Sequence, residues 1–173
     1  MLLLSACEND LKKITEISSK YVSQPIDTTK GVDVIYSDSA IVKGRMTAPI
    51  MVHFNISDPI NILPKGVKIV FYDYNAQENG SIIADSAVYH TVEQRVEFYH
   101  HVVYTTKKGD TFKSDELIWD QTKKTMFSNK PVQIIMANGD ILNGTNFTSD
   151  DNLRYPQMKQ GTGAFDVSDF PGK

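Results

Sequence analysis

The sequence predicts an all-β protein, an antiparallel sandwich or jelly roll of two sheets that follows an N-terminal tether. Beyond residue 31, runs rich in Val, Ile, Phe, Tyr and Thr are cut at short intervals by Gly, Asn and Asp, which is the composition of strands joined by turns. Apolar residues recur with period two at Val67, Ile69 and Phe71, as they do when one face of a strand is buried. No segment beyond the tether has sustained helical periodicity.

Six segments have the composition of strands, and three Gly-containing motifs are typical of turns. The predicted strands are residues 32–36, 67–74, 88–91, 96–105, 117–119 and 132–136. The turns are predicted at residues 79–80, 108–110 and 138–140, where Gly or Asn supplies a positive φ. The three glycines lie 29 and 30 residues apart, which indicates a stack of similar two-strand units. Chance similarity among hairpins is the alternative.

Length and charge bound the organisation and exclude one class of partner. The 173 residues suit one domain with a tail at each end. We divide them into a remnant of a lipoprotein signal at 1–7, a tether at 8–30, a β-domain at 31–168 and a tail at 169–173. A formal net charge of −3 with no basic block argues against a nucleic-acid partner. The single cysteine excludes an intrachain disulfide and a cysteine-rich metal site.

The first seven residues end in a motif that predicts lipidation. Leu4-Ser5-Ala6-Cys7 resembles a bacterial lipobox, in which an apolar and two small residues precede the cysteine that becomes acylated. The apolar stretch before Cys7 is shorter than a complete signal peptide, so a truncated upstream sequence or a misplaced start codon is expected. Two or three acyl chains on Cys7 would anchor the protein stably outside the cytoplasm. The alternative is a strand at residues 2–4 and a buried Cys7.

The tether has one further feature. Leu11, Ile14, Ile17 and Tyr21 recur at helical spacing, which allows a short amphipathic helix, although isolated helices of this length are marginal in water.

Several stretches of the chain together resemble the LptC family of the lipopolysaccharide export bridge, in a lipoprotein form. The best-known members of that family begin with a transmembrane helix, whereas this chain has a lipobox. The resemblance covers roughly residues 30–167, and it is carried by the order and spacing of residues 36–40, 45–49, 64–72, 117–124, 139–144 and 161–165.

The resemblance implies an open, twisted β-jelly-roll of the OstA-like type, with a hydrophobic groove between its two sheets. It also implies a periplasmic protein tethered to a membrane, most readily the inner membrane of a Gram-negative bacterium. Such a protein receives lipopolysaccharide from an ATP-driven inner-membrane ABC transporter and passes it to a periplasmic LptA-like jelly roll, joined edge to edge. No catalytic residue, cofactor or metal is implied.

The residues themselves indicate where an acyl chain could bind. Inward-facing apolar side chains would provide a dry cavity, in which each buried CH₂ contributes about 0.8 kcal/mol. A closed core built from the same residues is the alternative, since groove and core share one face. The candidates are Val67, Ile69, Phe71, Ala84, Tyr89, Val96, Phe98, Val102, Tyr104, Phe112, Leu117, Trp119, Phe127, Val132, Ile134 and Phe147.

The C-terminal region is expected to provide the edge that binds the next module. An open jelly roll leaves edge strands unpaired, and such edges can accept a strand from a partner. The predicted edge lies within residues 143–148 or 161–167 and includes Asn143, Gly144, Gly161, Gly163 and Phe165. An ordinary fraying tail is the alternative.

Residues suited to catalysis are sparse. His100 and His101 are neighbours in a predicted strand and would point to opposite faces, so they could not chelate one metal. Carboxylates such as Asp73, Asp85, Glu93 and Glu97 could in principle form a glycosidase pair, but solvated strand faces explain them better. Two other functions stay open: a soluble relay of the same fold, and a surface β-sandwich lipoprotein that binds glycans or acts in adhesion.

Overall fold

The computed structural model describes residues 26–38, 40–55 and 57–164, and this part of the chain consists of strands, turns and bends. Cys7, the tether up to residue 25 and Phe165 lie outside the described residues. Within the described ranges, no helix is long and apolar enough to cross a membrane. The all-β prediction is confirmed. The described strands are β1 (Ile26–Asp38), β2 (Ile41–Phe54), β3 (Ile60–Leu63), β4 (Val67–Tyr72), β5 (Glu78–Ala84), β6 (Ser86–His90), β7 (Arg95–Thr106), β8 (Thr111–Asp120), β9 (Thr125–Ser128), β10 (Val132–Ile135), β11 (Ile141–Asp150) and β12 (Gln157–Ala164).

The predicted strands lie within the observed ones or overlap them, with shifted ends. Residues 32–36 fall inside β1, and residues 117–119 fall inside the longer β8. β1 begins at Ile26, before the predicted domain boundary at residue 31. Residues 26–30 pair with the end of β2, so they belong to the sheet rather than to the tether.

Four long strands, β2, β7, β8 and β11, change partners midway along their length. β7 pairs with β6 through residues 95–99 and with β5 through residues 103–106. In the same way β8 and β11 pass from β10 to β9, and β2 passes from β4 to β3. Each long strand therefore belongs to two layers that face each other: layer A, with β4, β5 and β10, and layer B, with β3, β6 and β9. β1 and β12 flank both layers.

Backbone irregularities mark the line along which the long strands cross between the layers. In β7 the register shifts between Tyr99 and Val102, and His100 and His101 both have positive φ angles. This bulge interrupts the strand alternation that the sequence predicts for the two histidines. The Asp85 carboxylate lies 2.6 Å from Nδ1 of the exposed His101, and this hydrogen bond raises the pKa of His101.

The main apolar core lies between the two layers. Its most deeply buried side chains come from strands of both layers and include Leu63, Ile82, Phe98, Phe112 and Met126. A second, smaller cluster is built from β2, β3 and β6 on the outer face of layer B. The fold therefore has one continuous inner core and one separate apolar patch outside it.

The turns confirm two of the three glycine predictions and correct the third. Gly109 and Gly139 lie in the β7–β8 and β10–β11 turns with φ angles of 92° and 95°. Gly80 lies inside β5, not in a turn. A Cβ there would be 2.7 Å from the Thr105 carbonyl oxygen, so this glycine allows β7 to approach closely. The β4–β5 turn is instead formed around Asp73, whose carboxylate accepts hydrogen bonds from the backbone N–H groups of Asn75 and Gln77.

Candidate functional site

Strand alternation brings the predicted groove residues together on the facing surfaces of the two layers. All of them except Phe127 belong to the inner core or pack against it. Phe71, Tyr89 and Trp119 are partly exposed, whereas the others are buried. The predicted set is thus a single apolar surface that runs across both layers.

Phe127 corrects the prediction, because it lies on the other face of layer B. In β9 the side chains of Met126 and Ser128 are buried against the inner core, and Phe127 lies between them in sequence. Its cross-strand partner is Ile118, which is not part of the inner core. A four-residue strand gives too short a pattern to assign its faces from sequence.

Aromatic side chains from opposite layers fill the middle of the groove. The ring centroids of Phe112 in layer A and Phe147 in layer B are 4.7 Å apart. The rings of Phe71 and Trp119 meet edge to face at 5.2 Å, a favourable geometry for such pairs. The indole Nε1 of Trp119 is buried and has no hydrogen-bond partner among the described residues. This part of the groove is therefore closed by side chains and contains one unused donor.

One turn bridges the open ends of the two layers. The Tyr104 hydroxyl in layer A donates a hydrogen bond of 3.1 Å to the carbonyl oxygen of Asp151, in the β11–β12 turn at the end of layer B. In the same turn, Asn152 Oδ1 accepts a 3.4 Å hydrogen bond from the side-chain Nδ2 of Asn79. Leu153 inserts into the inner core with a φ angle of 54°, a strained conformation for a leucine. We call residues 151–153 with these two hydrogen bonds the clasp.

Burial changes the titration of the groups at the clasp. Desolvation raises the pKa of Tyr104, so its hydroxyl remains a donor across the physiological range. Desolvation and, to a smaller extent, the neighbouring Asp150 raise the pKa of Asp151. The main cause of both pKa shifts is the exclusion of water where the two layers meet.

The groove is open at the β1 end, which lies outside the groove predicted from the sequence. Val34 and Tyr36 lie on the same face of β1 as the buried Val32, opposite Met46 and Gly44 of β2. They are nevertheless 44% and 64% exposed. The alternation within residues 32–36 was the signal that could have placed them in the groove.

A shallow cavity adjoins this open end, where β2 leaves β4 and turns towards β3. It has a volume of about 430 Å³ and is lined by Val32, Ala48 and Val67 among other residues. Lys65 and Lys68 also line it and are exposed. The open end therefore combines an apolar floor with positive charge at its border.

The predicted partner-binding edge is only partly at an edge. Asn143 and Gly144 lie in β11, which is covered by β12, so they do not present unpaired backbone to a partner. Gly144 is buried, and a Cβ there would be 3.0 Å from Cβ of Met158. Gly161 and Gly163 lie in β12, which pairs with β11 alone among the described strands.

The carboxylates considered for hydrolysis serve ion pairs instead. Asp73 Oδ2 accepts a hydrogen bond of 2.8 Å from Lys107, which lowers the pKa of Asp73. Glu93 and Glu97 both bind Arg95. No group of three or more His, Cys, Asp or Glu residues within the described ranges could hold a metal ion.

Comparison with known proteins decides which family this fold represents. The family described as lipopolysaccharide-assembly, LptC-related, matches residues 5–160. The chain belongs to the LptC family. No curated protein matches the sequence. Membership confirms the resemblance and implies a role in lipopolysaccharide transport. The LptC family is a periplasmic bridge component tethered to the inner membrane, and it is not known as an enzyme.

The clasp generates a prediction about stability. Tyr104→Phe should lower the free energy of unfolding by about 1 kcal/mol, because it removes the hydroxyl that satisfies the Asp151 carbonyl. Urea denaturation of the two proteins measures the difference. Tyr155→Phe is the control, since Tyr155 lies next to the same turn and is exposed. Equal stability of all three proteins would show that the hydrogen bond of the clasp contributes nothing.

Proposed function

We propose that this protein binds the acyl part of lipopolysaccharide between layers A and B and passes it to the next jelly-roll module. The observation that carries the proposal is the single apolar inner face, which runs across both layers between the flanking strands β1 and β12. Membership of a lipopolysaccharide transport family supports the choice of lipid. An apolar strip with an edge at each end suits a chain that enters at one side and leaves at the other.

Entry begins, in this proposal, at the open β1 end. Val34 and Tyr36 offer apolar surface there without any rearrangement, and each CH₂ that they shield from water contributes about 0.8 kcal/mol. Lys65 and Lys68 line the cavity beside this region, and their positive charge would attract the anionic part of such a lipid. Further entry requires the acyl chain to replace the contacts between Phe71 and Trp119.

The polar donor in the groove favours an acyl chain over a plain hydrocarbon. The buried indole N–H of Trp119 has no acceptor among the described residues, and an unsatisfied buried donor costs about 1–3 kcal/mol. An ester, amide or hydroxyl oxygen carried on the chain would accept this hydrogen bond. A ligand with oxygen atoms close to its acyl chains therefore suits this groove.

The two flanking strands would join the protein to its neighbours. β12 is short and exposed, and Gly161 and Gly163 leave its backbone accessible. Addition of a strand from an LptA-like jelly roll to β12 would extend both layers, and therefore the groove, into the next module. β1 at the other edge would then face the inner-membrane ABC transporter.

The anchor in this proposal is an acylated Cys7. The inner-membrane tether of the LptC family supports a membrane anchor, and the lipobox-like residues before Cys7 provide the chemical means. Two or three acyl chains suffice for stable attachment.

The groove is tested by photo-crosslinking at two neighbouring positions of β1. A benzophenone amino acid at Tyr36 should capture lipopolysaccharide, because this side chain lies on the inner face. The same probe at Ile35 should not, because Ile35 lies on the opposite face of β1. The two side chains are almost equally exposed, at 61% for Ile35 and 64% for Tyr36, so a difference in capture would reflect the face and not the exposure. Adducts are detected by immunoblotting for lipopolysaccharide. Equal capture at both positions would indicate nonspecific adsorption and contradict the groove.

The β12 edge is tested in the same way with a protein partner. A photo-crosslinker at Thr162 in β12 should capture the downstream periplasmic protein in intact cells. The control is Lys113, an exposed residue of β8, whose backbone lies between β7 and β10, so that no adduct is expected there. Capture at Lys113 but not at Thr162 would place the partner elsewhere.

The anchor is tested with the gene at its own chromosomal locus. Cys7→Ser should abolish incorporation of radiolabelled fatty acid and release the protein from the membrane fraction, because the thiol is the atom to be acylated. Ser5→Ala keeps a small residue in the motif and should label normally. Full labelling of the Cys7→Ser protein would exclude Cys7 as the anchor.

A further inference from the structure

The outer face of layer B carries a buried apolar cluster that the groove does not explain. Phe54, Ile60, Ile62 and Val88 are 2–9% exposed, and Val52 and Tyr99 pack against them. Val52 pairs with Ile62, and Ile62 with Val88, across three adjacent strands. These residues alternate with Leu63 and Ala87, which belong to the inner core. The cluster is therefore on the side of layer B that faces away from the groove.

A sheet cannot cover its own outer face. Side chains on adjacent strands touch side by side, but their outward surfaces stay open unless another element packs on them. The cluster and the side chains packed against it come from four neighbouring strands of layer B: β2, β3, β6 and β7. The outer face of layer A carries residues such as Lys113 and Asn143. An apolar patch that extends over four strands is therefore a surface on which another segment can pack.

The chain that precedes β1 reaches the sheet beside this cluster. Ile26, the first residue of β1, pairs with Phe54. Pro25 stands directly before it and favours the end of any preceding helix at this point. The 17 residues from 8 to 24 would measure about 26 Å as a helix, and four adjacent strands span only about 14 Å. The segment is therefore long enough to cross the cluster without a linker.

We propose that residues 8–24 form an amphipathic helix that docks on this outer cluster. Leu11, Ile14, Ile17 and Tyr21 fall within one third of the helical circumference, and Lys12, Glu16 and Lys20 fall on the opposite side. The apolar stripe would pack on Ile62 and Val88 and leave the charged side in water. Packing of this kind stabilises a helix that is too short to persist alone.

Docking has a consequence for the position of the groove, and this consequence rests on the proposed acylation of Cys7. As a free extended tether, residues 8–25 would let the domain stand up to about 60 Å from the membrane. A docked helix removes this slack and holds layer B close to the anchor. The open β1 end of the groove would then stay near the membrane from which the lipid arrives.

The first test is disulfide formation in the full chain with Cys7→Ser as background. Cysteine replaces Leu11, Ile14, Ile17 or Tyr21, one at a time, together with Val88→Cys. Mild oxidation should give an intramolecular disulfide for at least one pair. The matched control is Lys113→Cys on the outer face of layer A, with which none should form. Disulfides of equal yield with Lys113, or none with Val88, would overturn the proposal. Disulfides between chains would overturn it in favour of a second copy as the occupant.

The second test measures stability with substitutions that leave the described domain untouched. Ile14→Asp with Ile17→Asp should lower Tm by on the order of 5 °C, because the apolar stripe is lost. It should also speed amide exchange in β3 and β6. Glu16→Gln with Lys20→Gln changes the opposite side and should do neither. An unchanged Tm and unchanged exchange in the aspartate variant would overturn the docking. All these measurements use unlipidated protein, so their failure leaves the proposed anchor and groove to their own tests.

Discussion

The rest of this structure depends on the change of partners midway along β2, β7, β8 and β11. Because each of these strands hydrogen-bonds in both layers, the layers are joined along one line by continuous backbone. They can spread only at their other ends, where the hairpin turns lie. Among the described hydrogen bonds, those of the clasp link these free ends. The two layers are therefore joined along one line by shared strands and linked at their free ends by the clasp. The apolar inner face lies between them.

In the proposed function, this arrangement would reconcile a filled core with the passage of an acyl chain. An acyl chain that enters between Phe71 and Trp119 must first separate the two rings. The free-energy cost of separating them offsets much of the free energy gained by burying the chain. A chain of a dozen methylenes would contribute about 10 kcal/mol if it entered an empty dry site, and release would then be slow. A site that is already filled by side chains lowers this net affinity. Weak binding would suit the proposed transfer of the lipid to the next module.

The sequence was informative where local rules decide the structure and misleading where distant parts meet. Period-two alternation placed Val67 and Ile69, and Val96 and Phe98, on the inner face, because each pair is separated by one residue within a single strand. The prediction for Phe127 was wrong because β9 has only four residues, too few to show from the sequence which face is buried. Asn79-Gly80 has the composition of a turn, but a glycine is needed at position 80 because β7 approaches closely there. The contact is with Thr105, 25 residues further along the sequence.

The position of the sheet edge could not be predicted from the sequence for a related reason. Asn143 and Gly144 lie in a strand that the sequence could not distinguish from an edge, because the pairing of β12 on β11 leaves no periodic signal. β12 is too irregular for one, with register shifts on both sides of Thr145 and a positive φ at Gln160. The clasp was equally hidden, since the contact of Tyr104 with Asp151 joins residues 47 positions apart.

The two flanking strands differ in a way that bears on assembly. β12 is short, glycine-containing and bulged, features that limit indiscriminate pairing. β1 is 13 residues long and pairs along its length with β2, and it exposes Val34, Ile35 and Tyr36. A long edge with apolar side chains is an aggregation hazard unless it is occupied. Since the two edges are unlike, joining β1 of one module to the β12-type edge of another gives a directional row rather than a closed pair. A row of this kind keeps the grooves in line and gives the proposed lipid path a defined direction.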